Sequence, residues 1–121
     1  MAAANETTLT GGCQCGAVRY EVEADTDKTY ACNCSRCGRL GTVLAFAPEE
    51  SFTLRAGEDS LTTYKFNKHV IDHQFCSVCG IQSFSRGKGP EGRAMVAINV
   101  RCLDGIDPHE LKPEKIDGRS Y

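Results

Sequence analysis

Ala31-Cys32-Asn33-Cys34-Ser35-Arg36-Cys37-Gly38 places three cysteines within six consecutive residues. Thiolates this close together suit a single metal ion that favours sulfur ligands. Two further pairs flank the stretch, Cys13-Gln14-Cys15 upstream and Cys76-Ser77-Val78-Cys79-Gly80 downstream, while Cys102 stands alone. How the seven grouped sulfurs divide, and whether one metal is left with an open position, governs the reading of the rest of the chain.

Eight cysteines could also make four disulfides, the usual arrangement of a small secreted domain. The spacing argues otherwise. Adjacent C-x-C cysteines do not readily bridge each other, and the two C-x-x-C units each end in glycine, which allows the tight turn of a metal knuckle. Residues 1–8 are small and polar, without the basic and apolar regions of a signal peptide, and no apolar run of about 18 residues is present to span a bilayer. A chain with reduced cysteines in the cytoplasm is therefore expected, with metal rather than disulfides. The net charge of -2 and pI near 5.9 leave no electrostatic footprint for nucleic acid or an anionic membrane.

At 121 residues the chain is one domain's worth. A loose lead-in over residues 1–8 and a single domain over residues 9–121 are expected. Val18, Tyr20 and Val22 alternate with Arg19, Glu21 and Glu23, the pattern of a half-buried strand. Short strands are also predicted over 29–32, 42–47, 51–55 and 61–66. Residues 70–76 and 81–86 read as strands that place Cys76 and Cys79 at a hairpin tip. Residues 94–100 form the most continuously apolar strand, which is expected at the centre of a sheet. An edge strand is expected around 115–117. No helical period persists for three turns, so the fold class is mainly β, short antiparallel strands stapled by zinc.

Structural zinc takes four protein ligands, whereas catalytic zinc keeps three and leaves one position for water or substrate. Cys32, Cys34 and Cys37 are most easily supplied together, leaving Cys13/Cys15 and Cys76/Cys79 as two bidentate pairs. Spacing alone also permits Cys34/Cys37 to join Cys13/Cys15, and permits Cys102 to close the second site as an eighth ligand. On every partition of the seven, one thiolate is lacking for two closed sites.

Gly11-Gly12-Cys13-Gln14-Cys15-Gly16-Ala17-Val18-Arg19-Tyr20, the Cys32/Cys34/Cys37 triplet, Phe75-Cys76-Ser77-Val78-Cys79-Gly80 and Ile98-Asn99-Val100-Arg101-Cys102-Leu103-Asp104 together resemble the glutathione-dependent formaldehyde-activating enzyme family, which includes centromere protein V-like domains. The resemblance implies a β-tent fold holding two zinc ions per chain. It implies that Cys13, Cys15, Cys76 and Cys79 bind a structural ion and that Cys32, Cys34 and Cys37 bind a catalytic one. It further implies a carbon-sulfur lyase-type enzyme, condensing formaldehyde or a related small aldehyde with glutathione to S-hydroxymethylglutathione. Three thiolates blunt the Lewis acidity of a metal, so its expected part is to hold and position a substrate thiolate. The alternatives are a non-catalytic, zinc-stabilised binding or scaffold module, and the same chemistry on another small thiol.

Arg36 and Arg39 could receive the carboxylates of a peptide substrate, or remain solvated beside the thiolates. The backbone N–H groups of Asn33, Ser35 and Arg36 are expected to donate to the sulfurs. His69 and His73 have a zinc spacing for a helix but sit in a strand or loop, and His109 lies in a turn. Phe46, Phe75, Phe84 and Tyr64 are read as core. Asn99 and Arg101 carry no assigned role, and the 87–92 loop reads as a connection.

Overall fold

A computed structural model describes residues 6–68 and 70–120. Among these residues ten strands form two sheets. β1 (Glu6–Gly12), β2 (Arg19–Asp25) and β5 (Phe52–Ala56) make a three-stranded sheet in the order β1-β2-β5. The second sheet has seven strands in the order β10-β3-β4-β9-β8-β7-β6. Its members are β3 (Tyr30–Cys32), β4 (Leu44–Pro48), β6 (Leu61–Tyr64), β7 (Asp72–Cys76), β8 (Phe84–Lys88), β9 (Ala94–Asn99) and β10 (Glu114–Ile116). All ladders are antiparallel except β10 against β3. One α-helical turn, α1 (Cys37–Leu40), begins at the last cysteine of the triplet.

The alternation in β2 puts Tyr20, Val22 and Ala24 on the buried face, continuing the row from Val18. They pack against Ala45 and Ala47 of β4, Phe84 of β8, and Val96 and Ile98 of β9. Tyr20, Phe52 and Phe84 meet at the centre, with ring centroids 4.7 to 5.9 Å apart in tilted and edge-on arrangements. The Arg86 guanidinium covers the Phe52 and Phe84 rings from one side at 5.2 and 5.3 Å and is fixed there by Glu49.

β9, predicted to be central, has β4 on one side and β8 on the other, and the edge strand near the C-terminus is β10. The strands around the Gly57 turn do not pair with each other: β5 joins β2, whereas β6 joins β7 in the other sheet. Gly57, at φ +95°, turns the chain from one sheet to the other, and a side chain there would strike the Ala17 carbonyl.

The seven-stranded sheet has a second, outer face. Phe46, Ala97, Ser85, His73 and Tyr64 are Cα partners in succession across β4, β9, β8, β7 and β6, so their side chains form one row on it. The assignment of four aromatics to the core is thereby corrected. Phe84 is core, but Phe46 and Tyr64 are 44% and 46% exposed on this outer row, and Phe75 is only partly buried. Their strand positions have the opposite phase to the core-facing residues.

Phe84→Ala removes the ring shared by both neighbours of the aromatic cluster. A loss of about 3–5 kcal/mol in unfolding free energy is expected by urea denaturation, against less than about 0.5 kcal/mol for the exposed Thr53→Ala.

Candidate functional site

Two groups of thiols assemble, and all eight cysteines are free. Cys13 and Cys15 lie in the turn from β1 to β2, and Cys76 and Cys79 in the hairpin from β7 to β8. The four sulfurs lie within 4.8 Å of one another, with Cys15 Sγ 3.6 Å from Cys13 Sγ and 3.7 Å from Cys76 Sγ. They join the two sheets at one point. Each turn is built to aim sulfur inward. The Val18 N–H donates to Cys13 Sγ at 3.3 Å and the Val78 N–H to Cys76 Sγ at 3.3 Å, while Gly16 and Gly80 take positive φ. Backbone N–H groups of Ile81 and Cys15 hold the Cys79 thiol down at about 6. Burial works against ionisation of Cys13, but donation from Val18, Cys15 and Cys76 outweighs it and lowers this thiol too.

Cys32, Cys34 and Cys37 form the second group, also within 4.8 Å. Cys32 ends β3 and Cys37 opens α1, so the sulfurs come from one tight turn closed by Gly41 in the left-handed conformation. The Cys37 N–H donates to Cys34 Sγ at 3.3 Å. Burial disfavours the Cys34 thiolate, yet the N–H groups of Cys37 and Arg36 prevail and lower its pKa. Burial pushes the Cys37 thiol up to about 12. The Arg36 N–H thus favours the Cys34 thiolate, but the Asn33 N–H goes instead to the Ile116 carbonyl, 3.1 Å away in β10.

That contact belongs to a clasp by the C-terminal segment. Asn33 Nδ2 donates to Asp117 Oδ1 at 3.0 Å, the Arg119 N–H donates to Asn33 Oδ1 at 2.9 Å, and Gly118 packs on Cys32 so closely that an added Cβ would overlap its Sγ. Gly118 was missed in the sequence because glycine in a polar tail reads as an ordinary turn.

A cavity of about 350 Å³ opens on the three thiols, its floor the outer row of the seven-stranded sheet. Leu44, Phe46, Phe66, Ile71, Ala97 and Ile116 supply its apolar walls. An adjoining hollow of about 370 Å³ shares Phe46 and Ala97 with it and extends to Met95. On the other side of Phe66 runs an open groove bordered by Arg36, Arg39 and Tyr64. Arg36 is positioned by its Nε donating to Gln82 Oε1 at 2.9 Å and by the Tyr64 ring 4.8 Å beneath its guanidinium. Arg39 donates to the Ser35 carbonyl at 2.8 Å. Arg19, Arg55, Arg86 and Arg93 each pair with a carboxylate, but among the described residues no carboxylate pairs with Arg36 or Arg39.

The remaining candidates lie elsewhere. Cys102 belongs to neither thiol group; its Sγ faces the Gln82 carbonyl at 3.8 Å, and burial raises its pKa. His73 is buried in β7 outside both groups and lines the cavity, with Nδ1 unpartnered and its pKa lowered chiefly by burial. His69 lies outside the described residues. His109 is exposed in a 3-10 turn, and Asn99 is buried with Nδ2 on the Gln82 carbonyl at 3.0 Å.

Comparison with known proteins adds a family. The model of the family described as glutathione-dependent formaldehyde-activating enzyme matches residues 8–117. A Talaromyces marneffei protein, provisionally named as such an enzyme, is 32% identical over 80 residues, which cover 61% of this chain and 42% of that protein. The match thus spans less than half the length of this curated relative. A crystal structure of a Rhodobacter sphaeroides protein aligns with a TM-score of 0.79 and 31% identity over 88% of this chain and 98% of that one.

Two outcomes are expected. In metal-free protein at pH 7, Cys79, with a pKa of about 6, is mostly thiolate, whereas Cys102 is mostly thiol; timed iodoacetamide labelling read by peptide mass spectrometry finds Cys79 modified first. Gly118→Ala displaces Cys32 and lowers cobalt affinity at the three-thiol group by about 10–100-fold, leaving the four-thiol group unaffected in a spectroscopic titration.

Proposed function

Because the chain belongs to the glutathione-dependent formaldehyde-activating enzyme family, we propose that it adds a small thiol to an aldehyde beside Cys32, Cys34 and Cys37, with glutathione and formaldehyde the reference pair. The reaction forms a carbon-sulfur bond and opens the carbonyl π bond. The thiol proton ends on the new hydroxyl oxygen, and nothing is oxidised or reduced; the reverse direction is that of a carbon-sulfur lyase.

The observation that carries this reading is the unequal division of the sulfurs. Four thiols meet where the sheets are joined, whereas three meet at the wall of a cavity. The donor chemistry fits zinc at both: free thiols, close enough to share an ion, with backbone N–H groups already turned toward them. Cys13, Cys15, Cys76 and Cys79 would hold one ion as a structural cross-link. Cys32, Cys34 and Cys37 would hold the second, three ligands being the number that leaves room for a substrate. The chemistry a bound zinc supplies there is stabilisation of an incoming thiol as its thiolate.

The chain's own residues do the rest. Arg36, preset by Gln82 and Tyr64, and Arg39 beside it offer two guanidinium groups to the carboxylates of a peptide thiol. Such anchoring would orient the sulfur toward the triplet and convert the addition to one between held partners. A non-catalytic zinc module supplies no reason for a cavity to open on the incomplete set.

The test is addition of glutathione to formaldehyde, followed by NMR with the spontaneous rate subtracted. Zinc-loaded protein is expected to accelerate it. Cys34→Ser should lose one metal equivalent and on the order of 100-fold in rate, while Cys102→Ser keeps both. No acceleration by the native protein, or full acceleration by a Cys34→Ser protein short of one metal, would sink the reading.

A further inference from the structure

We infer that the cavity beside Cys32, Cys34 and Cys37 is a carbonyl-substrate site built for an aldehyde with an apolar substituent of about four or more carbons, rather than for formaldehyde alone. The inference rests on the proposed function and specifies its substrate class.

The first argument is size. Formaldehyde has two heavy atoms, comparable to a water molecule, whose share of liquid volume is about 30 Å³. The cavity measures about 350 Å³, within the range of sites that enclose whole organic ligands. The adjoining hollow prolongs the same trough over Ala97 to Met95, away from the thiols. A one-carbon substrate would leave nearly all of this surface in water.

The second argument is chemistry. The walls are alkyl and aromatic, and Phe46 and Ile71 continue them as an exposed lip. Burial of a hydrocarbon chain against such a surface gains about fourfold in affinity per methylene, the equivalent of about 0.8 kcal/mol. Glutathione is a poor occupant, because it carries two carboxylates and an ammonium, and among the described residues Lys68 is the only cationic one lining the cavity apart from the titratable His73. Its charges match the Arg36/Arg39 groove on the far side of Phe66. The aldehyde would then reach the three thiols through the apolar cavity they line, while the charged groups of the thiol partner rest across Phe66 on Arg36 and Arg39, Arg36 lying between Cys34 and Cys37 in the chain.

A third, independent feature is polar. His73 is 6% exposed and Ser85 8%; they are Cα partners across β7 and β8 on the cavity floor, and the His73 Nδ1 has no hydrogen-bond partner among the described residues. A buried imidazole nitrogen without a hydrogen-bond partner is costly as packing alone. In a carbonyl site it offers a hydrogen-bonding group to the ligand from the cavity lining.

The experiment uses the full, zinc-loaded chain. Binding of 1-hexanol, which cannot react, is followed by NMR, and kcat/KM is measured for formaldehyde, propanal and hexanal with glutathione. Hexanol is expected to bind, and hexanal to be favoured over propanal by at least about tenfold, three methylenes being worth on the order of 60-fold if fully buried. Ala97→Trp, which fills the floor, should abolish hexanol binding and bring the ratio close to one. Phe46→Ser, at the exposed lip, should lower both and guards against misfolding of the tryptophan variant. Glu23→Gln, exposed on the other sheet, should change neither. Formaldehyde addition without hexanol binding, or with no size preference, overturns this inference and leaves the proposed function standing. A size preference that both cavity variants retain also overturns it. No acceleration with any aldehyde overturns the proposed function, and this inference with it.

Discussion

Four sulfurs from two separate turns have to meet within 4.8 Å, and the relation of the two sheets follows from that requirement. Cys13 and Cys15 are carried by the three-stranded sheet and Cys76 and Cys79 by the seven-stranded one. Thiol-thiol contacts of 3.6 and 3.7 Å are weak hydrogen bonds at best, so they cannot by themselves hold sheets together. Apolar packing does part of the work through Tyr20, Phe52 and Phe84, and the ion pair of Arg19 with Asp104 ties β2 to the segment after β9. A surface pair of that kind contributes little. For a chain with a core this small, a metal cross-link at the four thiols is the proposed remainder, and it would act most where two strand turns are otherwise free to separate.

The three-thiol turn obeys a different constraint. It sits at the end of β3, on the outer side of the large sheet, where among the described residues no second sheet packs against it. The C-terminal segment takes over that duty: β10 runs parallel to β3, Asn33 is bonded three times to residues 116–119, and Gly118 lies on Cys32. Only glycine permits so close an approach. The position of Cys32 thus depends on residues more than eighty positions away, and the wall of the cavity includes Ile116 for the same reason.

Much of this was legible in the chain. The alternation of Val18, Tyr20 and Val22 marked the buried face of β2, the apolar run after Ala94 marked the central strand, and the C-x-C and C-x-x-C spacings marked the thiols as ligand candidates while leaving their division open. Local patterns carried those features. What remained hidden depends on register between distant strands. Nothing in the sequence near Gly57 says that β5 and β6 go to different sheets. Phe46 and Tyr64 look like core because they are aromatic, yet their strand phase places them with Ala97, Ser85 and His73 on the outer row. The Asn33 N–H was available to a sulfur until a parallel strand supplied the Ile116 carbonyl.

Phe66 lines both the apolar cavity that opens on the three sulfurs and the arginine groove beside it, and the separation has an energetic logic. Guanidinium groups are effective on carboxylates when they are already held and not already neutralised; Arg36 and Arg39 meet both conditions, while four other arginines are paired with acids. A hydrocarbon substituent gains nothing in such a groove, and a charged tripeptide would lose hydration in the apolar cavity. Placing the two surfaces on opposite sides of one aromatic ring would let each partner of the proposed addition find favourable solvation, with the carbonyl carbon in the cavity that Cys32, Cys34 and Cys37 line.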